Sequence, residues 1–279
     1  MPENTLRLAV AQSTVHEDPT NAALLRESGA EVRGLMKQAA EAGARLVHFT
    51  EGALCFPSKR VMSELGPDEV GPSDWSKAEW AVLKDELDRI AALSGELGIW
   101  TVIPSLHQLP APTRPYNSMY VVSDQGKVVG RYDERMLSTT KITWMYSPGK
   151  NPLTFEVDGY RFGLALGLDV LFPELFTEYD ALDVDGVLTS YSTSGSAGNE
   201  VVPTHARGYA AMNTYWISLA VPANPAAGVV SHVIDPRGEL VAEGPADSTP
   251  GIAVTDLTRA DVTTIGRAFR RRARERVGS

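Results

Sequence analysis

A segment of helical period, residues 19–42, stands between two short apolar runs, residues 6–12 and 45–49, and closes on Gly43. Two strands flanking one amphipathic helix at this spacing form a parallel pair with a right-handed crossover, because a right-twisted strand packs its helix back onto the sheet in that hand. The unit commits the chain to a layered α/β fold. The pattern returns downstream, where residues 76–97 read as a second helix stopped by Gly98 and residues 100–104 as the strand behind it. Between Tyr116 and Tyr132 it changes to two short strands around Asp124-Gln125-Gly126, a hairpin signal. A second hairpin joins residues 153–157 to 160–168 through Asp158-Gly159, and Pro173 opens a helix to about Leu182. Further strands are expected at residues 186–190, 215–221, 229–234 and 252–256, with Asp235-Pro236-Arg237-Gly238 as a tight turn. The sheets thus mix parallel and antiparallel pairs, and no linker divides residues 1–279, which read as one domain.

Charge and cysteine usage exclude several classes of function. With 35 acidic against 26 basic residues the formal charge is −9, which repels nucleic acid and anionic lipid, so neither is expected as a partner. Residues 258–279 run against this average with seven arginines and two acids, and are expected to form a basic helix or tail packed on the acidic body. A single cysteine, Cys55, permits no intrachain disulfide and no cysteine-rich zinc site. His16, His48, His107, His205 and His232 are scattered without ligand spacing, so no metal site is expected. No apolar segment approaches the roughly 20 residues that span a bilayer, and no export signal is visible at the start. A soluble, cytoplasmic protein is expected.

Catalytic groups of open α/β sheets sit on loops at the carboxyl ends of strands, and three segments fit that position. In His48-Phe49-Thr50-Glu51-Gly52-Ala53-Leu54 a buried strand ends in a carboxylate followed by glycine. The others are Gly130-Arg131-Tyr132-Asp133-Glu134-Arg135-Met136-Leu137 and the run from Phe162 through Gly167, Asp169 and Leu171 to Phe172-Pro173-Glu174.

Taken in order with Tyr116-Asn117-Ser118, Ser147-Pro148-Gly149, Asn213 and the Asp235 turn, these blocks resemble the nitrilase superfamily of carbon–nitrogen hydrolases over nearly the whole chain. The resemblance implies a four-layer α-β-β-α sandwich, no cofactor, and a homodimer formed through an outer helical layer. It also implies a trio acting on amides, nitriles or carbamoyl groups. A cysteine thiolate attacks carbon, a glutamate moves the proton, and a lysine stabilises the oxyanion. Carried over by position, the glutamate is Glu51. The lysine position, three residues before Leu137, holds Glu134, and the cysteine position, two before Asp169, holds Gly167. The arginine of the same block is Leu171, and a second family glutamate has no counterpart in residues 139–146.

The chain therefore reads as a catalytically degenerate member, a pseudoenzyme that binds a small molecule in the inherited pocket or a protein partner. One alternative keeps chemistry in that pocket, with Glu51 and Glu134 as acid and base, since like charges at short range raise one pKa. Another is an amidase with Cys55 as a relocated nucleophile. Glu134 is expected either to face the cavity or to turn outward and pair with Arg131 or Arg135. Arg135 cannot fill the lysine position, because successive side chains of an extended segment point to opposite faces. Lys141, in the following loop, reaches in only by a rearrangement. A divalent cation held with Asp169 is a further option. Trp144, Tyr146, Tyr191 and Trp216 are candidate pocket walls, and Cys55 lies near the expected mouth. The loop 190–198 with Glu200 and His205 has the residue types of a serine triad but lacks the Gly-x-Ser-x-Gly elbow.

Overall fold

The computed structural model describes residues 5–192, 201–224, 228–259 and 266–277. The first half of the chain forms β1 (Thr5–Gln12), α1 (Ala22–Glu41), β2 (Leu46–His48), α2 (Trp80–Leu97), β3 (Trp100–His107), β4 (Tyr116–Val122) and β5 (Val128–Asp133). The second half forms β6 (Thr154–Val157), β7 (Tyr160–Leu166), α3 (Pro173–Ala181), β8 (Gly186–Ser190), α4 (Val201–Asn213), β9 (Trp216–Ala220), β10 (His232–Ile234), β11 (Leu240–Glu243), β12 (Gly251–Thr258) and α5 (Arg267–Val277).

Two six-stranded sheets result, in the orders β12-β1-β2-β3-β4-β5 and β11-β10-β9-β8-β7-β6. Each has a parallel centre, β1-β2-β3 in one and β7-β8-β9 in the other, with antiparallel strands outside. The sheets face each other through Leu8, Val10, Leu46, Val121, Phe162, Leu164 and Leu188. Helices α1 and α2 cover the outer face of the first sheet through Leu25, Val32, Met36, Leu83 and Ile90. The outer face of the second is covered by α3 and α4 through Leu175, Phe176, Tyr179, Ala206 and Tyr209. This is the four-layer α-β-β-α sandwich, the α/β fold expected from the sequence.

Several boundaries differ, each for a local reason. The helix expected over residues 76–97 begins at Trp80; Trp75–Lys77 is a separate 3-10 turn, capped by the Asp74 carboxylate accepting from Ser76 N, and Ala78 is extended. Strand β7 stops at Leu166, where Gly167 adopts φ +59° and turns the chain into a 3-10 segment, Gly167–Leu171. Helix α4 has no counterpart among the helices expected from the sequence, because Pro203 and Gly208 mask its period; the proline sits in the first turn, where no intrahelical N–H is needed. Helix α5 lies against the outer layer, with Arg270 and Arg274 both pairing with the buried carboxylate of Asp180 on α3, at 2.7 and 2.6 Å. No helix among the described residues is long and apolar enough to cross a membrane.

Candidate functional site

The register of the strands decides what meets at one end of the sandwich. In the first sheet β2, β3 and β5 run in one direction and β4 in the other, so the ends of β2 and β5 lie beside the start of β4. Glu51 follows β2, Glu134 follows β5 and Asn117 opens β4. The ends of β7 and β8 in the second sheet contribute Gly167 and Ser192.

A buried polar cluster forms there. The Asn117 amide donates to Oε1 of Glu51 and to Oε2 of Glu134, each at 2.8 Å, and so bridges the two carboxylates. Lys141 Nζ donates to Oε1 of Glu51 at 2.9 Å and to both oxygens of Glu134 at 3.0 and 2.8 Å. Backbone amides complete the shell, Ser192 N to Oε2 of Glu51 at 2.7 Å and Leu168 N to Oε1 of Glu134 at 3.0 Å. Glu51, Glu134, Asn117 and Lys141 are all buried. Glu134 thus turns inward into the cluster rather than out to solvent, while Arg131 pairs with Asp133 and Arg135 with Glu178.

The sequence places Lys141 in the loop after Glu134, from which it reaches in only if that loop turns inward, and in the structure its ammonium lies on both carboxylates. Residues Lys141–Met145 form a π-helical turn, closed by Tyr146 N donating to the Lys141 carbonyl at 2.8 Å. The turn buries Lys141 and Met145 and leaves Ile142 and Trp144 exposed. Trp144 is therefore on the outer side of the turn, not a wall of the site. The signal that could have found Lys141 is charge balance, since two buried carboxylates demand a cation and Lys141 is seven residues beyond Glu134.

Burial pushes the Glu134 carboxyl up, to about 7, with Lys141 pulling it down and the charges of Glu51 and Asp169 adding to the rise. Burial also works against the Lys141 charge, but Glu134 and Glu51 outweigh it and the lysine pKa ends above its ordinary value. The Tyr191 phenol is raised by burial and by the Glu51 charge, and its carbonyl accepts from Thr50 Oγ1 at 3.5 Å, which puts it beside the cluster.

Asp169 has a structural task in this arrangement. It accepts from Tyr132 Oη at 2.7 Å and from the backbone N–H of Met136, Leu166 and Arg135 at 2.8, 3.1 and 3.2 Å, which ties the end of β5 to the end of β7. Among the described residues no group of three or more His, Cys, Asp or Glu side chains is placed to hold a metal ion, so the option of a cation shared with Asp169 finds no ligand set.

His48 supports Glu51 from the strand below. Its Nδ1 is 2.9 Å from Ser218 Oγ and its Nε2 2.8 Å from Ser190 Oγ, while Ser190 Oγ donates to the Phe49 carbonyl at 2.7 Å. These bonds cross from β2 to β8 and β9 and latch the two sheets where Glu51 and Ser192 emerge. Burial pushes the His48 pKa down to about 3, so the imidazole is neutral.

Cys55 is buried in the outer core with Phe49, Leu54, Met145 and Tyr146, and burial with the charges of Asp18 and Glu17 raises its thiol pKa. That setting opposes thiolate formation. Trp216 packs against the core between the sheets. In the serine-triad loop, residues 193–200 with Glu200 lie outside the described residues, and His205 sits on α4 with its ring 6.1 Å from that of Tyr209. A cleft of about 240 Å³, lined in part by Phe56, Ser58, Lys141, Met145 and Tyr146, opens beside Lys141.

The fold has solved counterparts. A cysteine-to-alanine variant of the Nesterenkonia AN1 amidase from the nitrilase superfamily superposes with a TM-score of 0.76 at 19% identity, over 98% of each chain. An amidase from Nesterenkonia sp. gives 0.75 at 18% identity over 98% of this chain and 97% of that one. A double variant of the Nesterenkonia sp. AN1 amidase, in complex with acrylamide, gives 0.72 at 20% identity over 97% of both. At such identities the likeness is one of fold. No curated protein matches the chain. The model of the family described as carbon-nitrogen hydrolase matches residues 7–267, nearly the full length, and the chain belongs to that family.

Proposed function

We propose that this chain is a carbon–nitrogen hydrolase scaffold that binds a small molecule without Cys-dependent hydrolysis. One observation carries the reading. The position that the resemblance assigns to the nucleophile is Gly167, and a Cβ there would lie 2.7 Å from the carboxyl carbon of Glu134, so the volume of a nucleophile is taken by a carboxylate. The lysine position has become that carboxylate, and Lys141 supplies the cation from another segment. In two glutamate-substituted variants of the amidase from Nesterenkonia sp. AN1 the acetamide moiety of fluoroacetamide is added covalently at the active-site cysteine. Here the only cysteine is Cys55, buried and with its thiol held protonated. The same reading carries a homodimer through the outer helical layer, supported by the exposed Met212 of α4 and Phe269 of α5.

The test is incubation of the protein with acrylamide, butyramide, fluoroacetamide and matching nitriles, following ammonia and intact mass. Neither ammonia nor a mass gain is expected, and either one overturns the proposal. A second reading, proton transfer by Glu51 and Glu134, is favoured by the rise of Glu134 to about 7, which suits an acid–base group at neutral pH. It requires the protein to catalyse deuterium exchange into a carbonyl compound, and E51Q and E134Q to abolish that exchange.

A further inference from the structure

The occupant of the cluster indicates what else it accepts. One ammonium, Lys141 Nζ, is held by two carboxylates at 2.8 to 3.0 Å, and the ring centroids of Phe56 and Tyr146 lie 5.5 and 5.9 Å away. Both distances fall in the range where an aromatic face attracts a cation. The cluster is also short of positive charge. Glu51 and Glu134 face a single ammonium, buried Asp169 lies near, and the guanidinium groups of Arg131 and Arg135 are engaged by Asp133 and Glu178. A buried, uncompensated carboxylate is costly unless a proton or a cation joins it.

Access is built in. Lys141 lines the cleft of about 240 Å³ together with Phe56, Met145 and Tyr146, and the charged residues Glu17, Lys59 and Arg60 also border it, so the cleft abuts Lys141. The π-helical turn that carries Lys141 leaves Ile142 and Trp144 exposed, at 44% and 37%, but Met145 anchors it in the core and its Thr143, Trp144 and Met145 carbonyls accept from Arg114, Ser73 and Trp75, so it is the Lys141 side chain and not the turn that a ligand would displace. Such turns are often found at functional sites.

We infer that the site binds a small organic monocation, a primary ammonium or guanidinium with a short apolar body, which enters by the Phe56–Tyr146 cleft and takes Glu51 and Glu134 over from Lys141. The inference rests on the reading of this pocket as a ligand site rather than a hydrolytic one. The carboxylates recognise the charge, the rings recognise the adjoining methylenes, and the cleft limits the body to a few carbons. Lys141 is then a tethered competitor that keeps the site neutralised when no ligand is present.

Calorimetric titration of the full chain with n-butylammonium and methylguanidinium, against the neutral n-butanol and butyramide, tests this. The wild type should bind both cations and neither neutral compound. E134Q should weaken cation binding at least about tenfold, and K141M, freed of the competitor, should strengthen it at least about tenfold, each a change of about 1.4 kcal/mol. If K141M does not fold, E134Q in the presence of Lys141 decides. Equal binding of butyramide, unchanged cation binding by E134Q, or no cation binding by the wild type overturns the inference. Release of ammonia from butyramide would instead overturn the non-hydrolytic reading, so the two failures are distinct.

Discussion

Gly167 and Glu134 share one volume: a Cβ on the glycine would stand 2.7 Å from the Glu134 carboxyl carbon, and 3.0 Å from Oε1 of Glu51. The glycine is also the residue that suits this backbone, at φ +59°. A cysteine at 167 would meet both obstacles, so adding a thiol there does not by itself rebuild a hydrolase.

G167A is expected to lose about 2–4 kcal/mol, the left-handed backbone and the crowding of a buried carboxylate contributing comparable parts. Urea unfolding measures it. In a cycle with E134A, which vacates the shared volume, the two costs should fall short of additivity by at least about 1 kcal/mol. Simple additivity would mean that the two residues do not compete for space.

The pH dependence of stability should carry the mark of Glu134. Its folded pKa of about 7 lies above the ordinary 4.5, so between these values the native state holds more protons than the unfolded chain. The stability it contributes is complete below about pH 4.5 and is lost as the pH rises through about 7, at no more than about 1.4 kcal/mol per unit. Lys141, raised above its ordinary value, is charged in both states across this window and adds no slope. His48, pushed down to about 3, works the opposite way: its contribution is whole above about pH 6.5 and wanes as the pH falls. The raw curve therefore mixes opposing slopes, and the difference between E134Q and the wild type isolates Glu134. E134Q should gain on the wild type by roughly 2 kcal/mol between pH 5 and 7.5. A difference constant across that range would refute the raised carboxyl.

What the sequence disclosed divides along a physical line. The strands other than β11 and the first helix were legible because apolar period is a local property, and the ordered blocks placed Glu51, Glu134 and Gly167 at strand ends, whereas the short, half-exposed β11 carries too little apolar pattern to be read. Helix α4 and the true start of α2 were not, because Pro203 and the extended Ala78 break the period without ending the packing. In the site, the inward turn of Glu134 was one of two alternatives, and the reach of Lys141 left no trace in the apolar pattern, because a π-helical turn has no distinctive period, so only charge balance pointed to it. Asn117 stood in a recognised block, yet its bridging of two carboxylates depends on β4 running against β3 and β5. Such contacts are long-range, and no spacing in the chain reports them.

His48 should prove to be the latch on which the Glu51 loop depends. H48L removes the partner of Ser190 and of Ser218 and leaves a buried hydroxyl on β9 unsatisfied, at a cost of about 2–4 kcal/mol. Adding S218A removes that stranded hydroxyl and should recover about 1 kcal/mol, because replacing both partners by apolar groups avoids the desolvation penalty. Ser190 keeps its bond to the Phe49 carbonyl in either variant. If H48L/S218A is no more stable than H48L, the Ser218 bond carries no weight.

Cys55 should behave as a core residue rather than a reactive thiol. It is 2% exposed, packs with Leu54, Met145 and Tyr146, and has its pKa raised by burial and by Asp18 and Glu17. A reactive cysteine needs the reverse, a positive and partly open setting that favours thiolate. Labelling of the native protein with a disulfide reagent at pH 8 should be on the order of a hundredfold or more slower than in urea, because it must await local opening. C55A should cost about 1 kcal/mol for the lost sulfur packing and leave monocation binding unchanged. Rapid native labelling that a bound amide protects against would show instead that the thiol lies in the pocket, and the relocated-nucleophile alternative would then have to be taken up again.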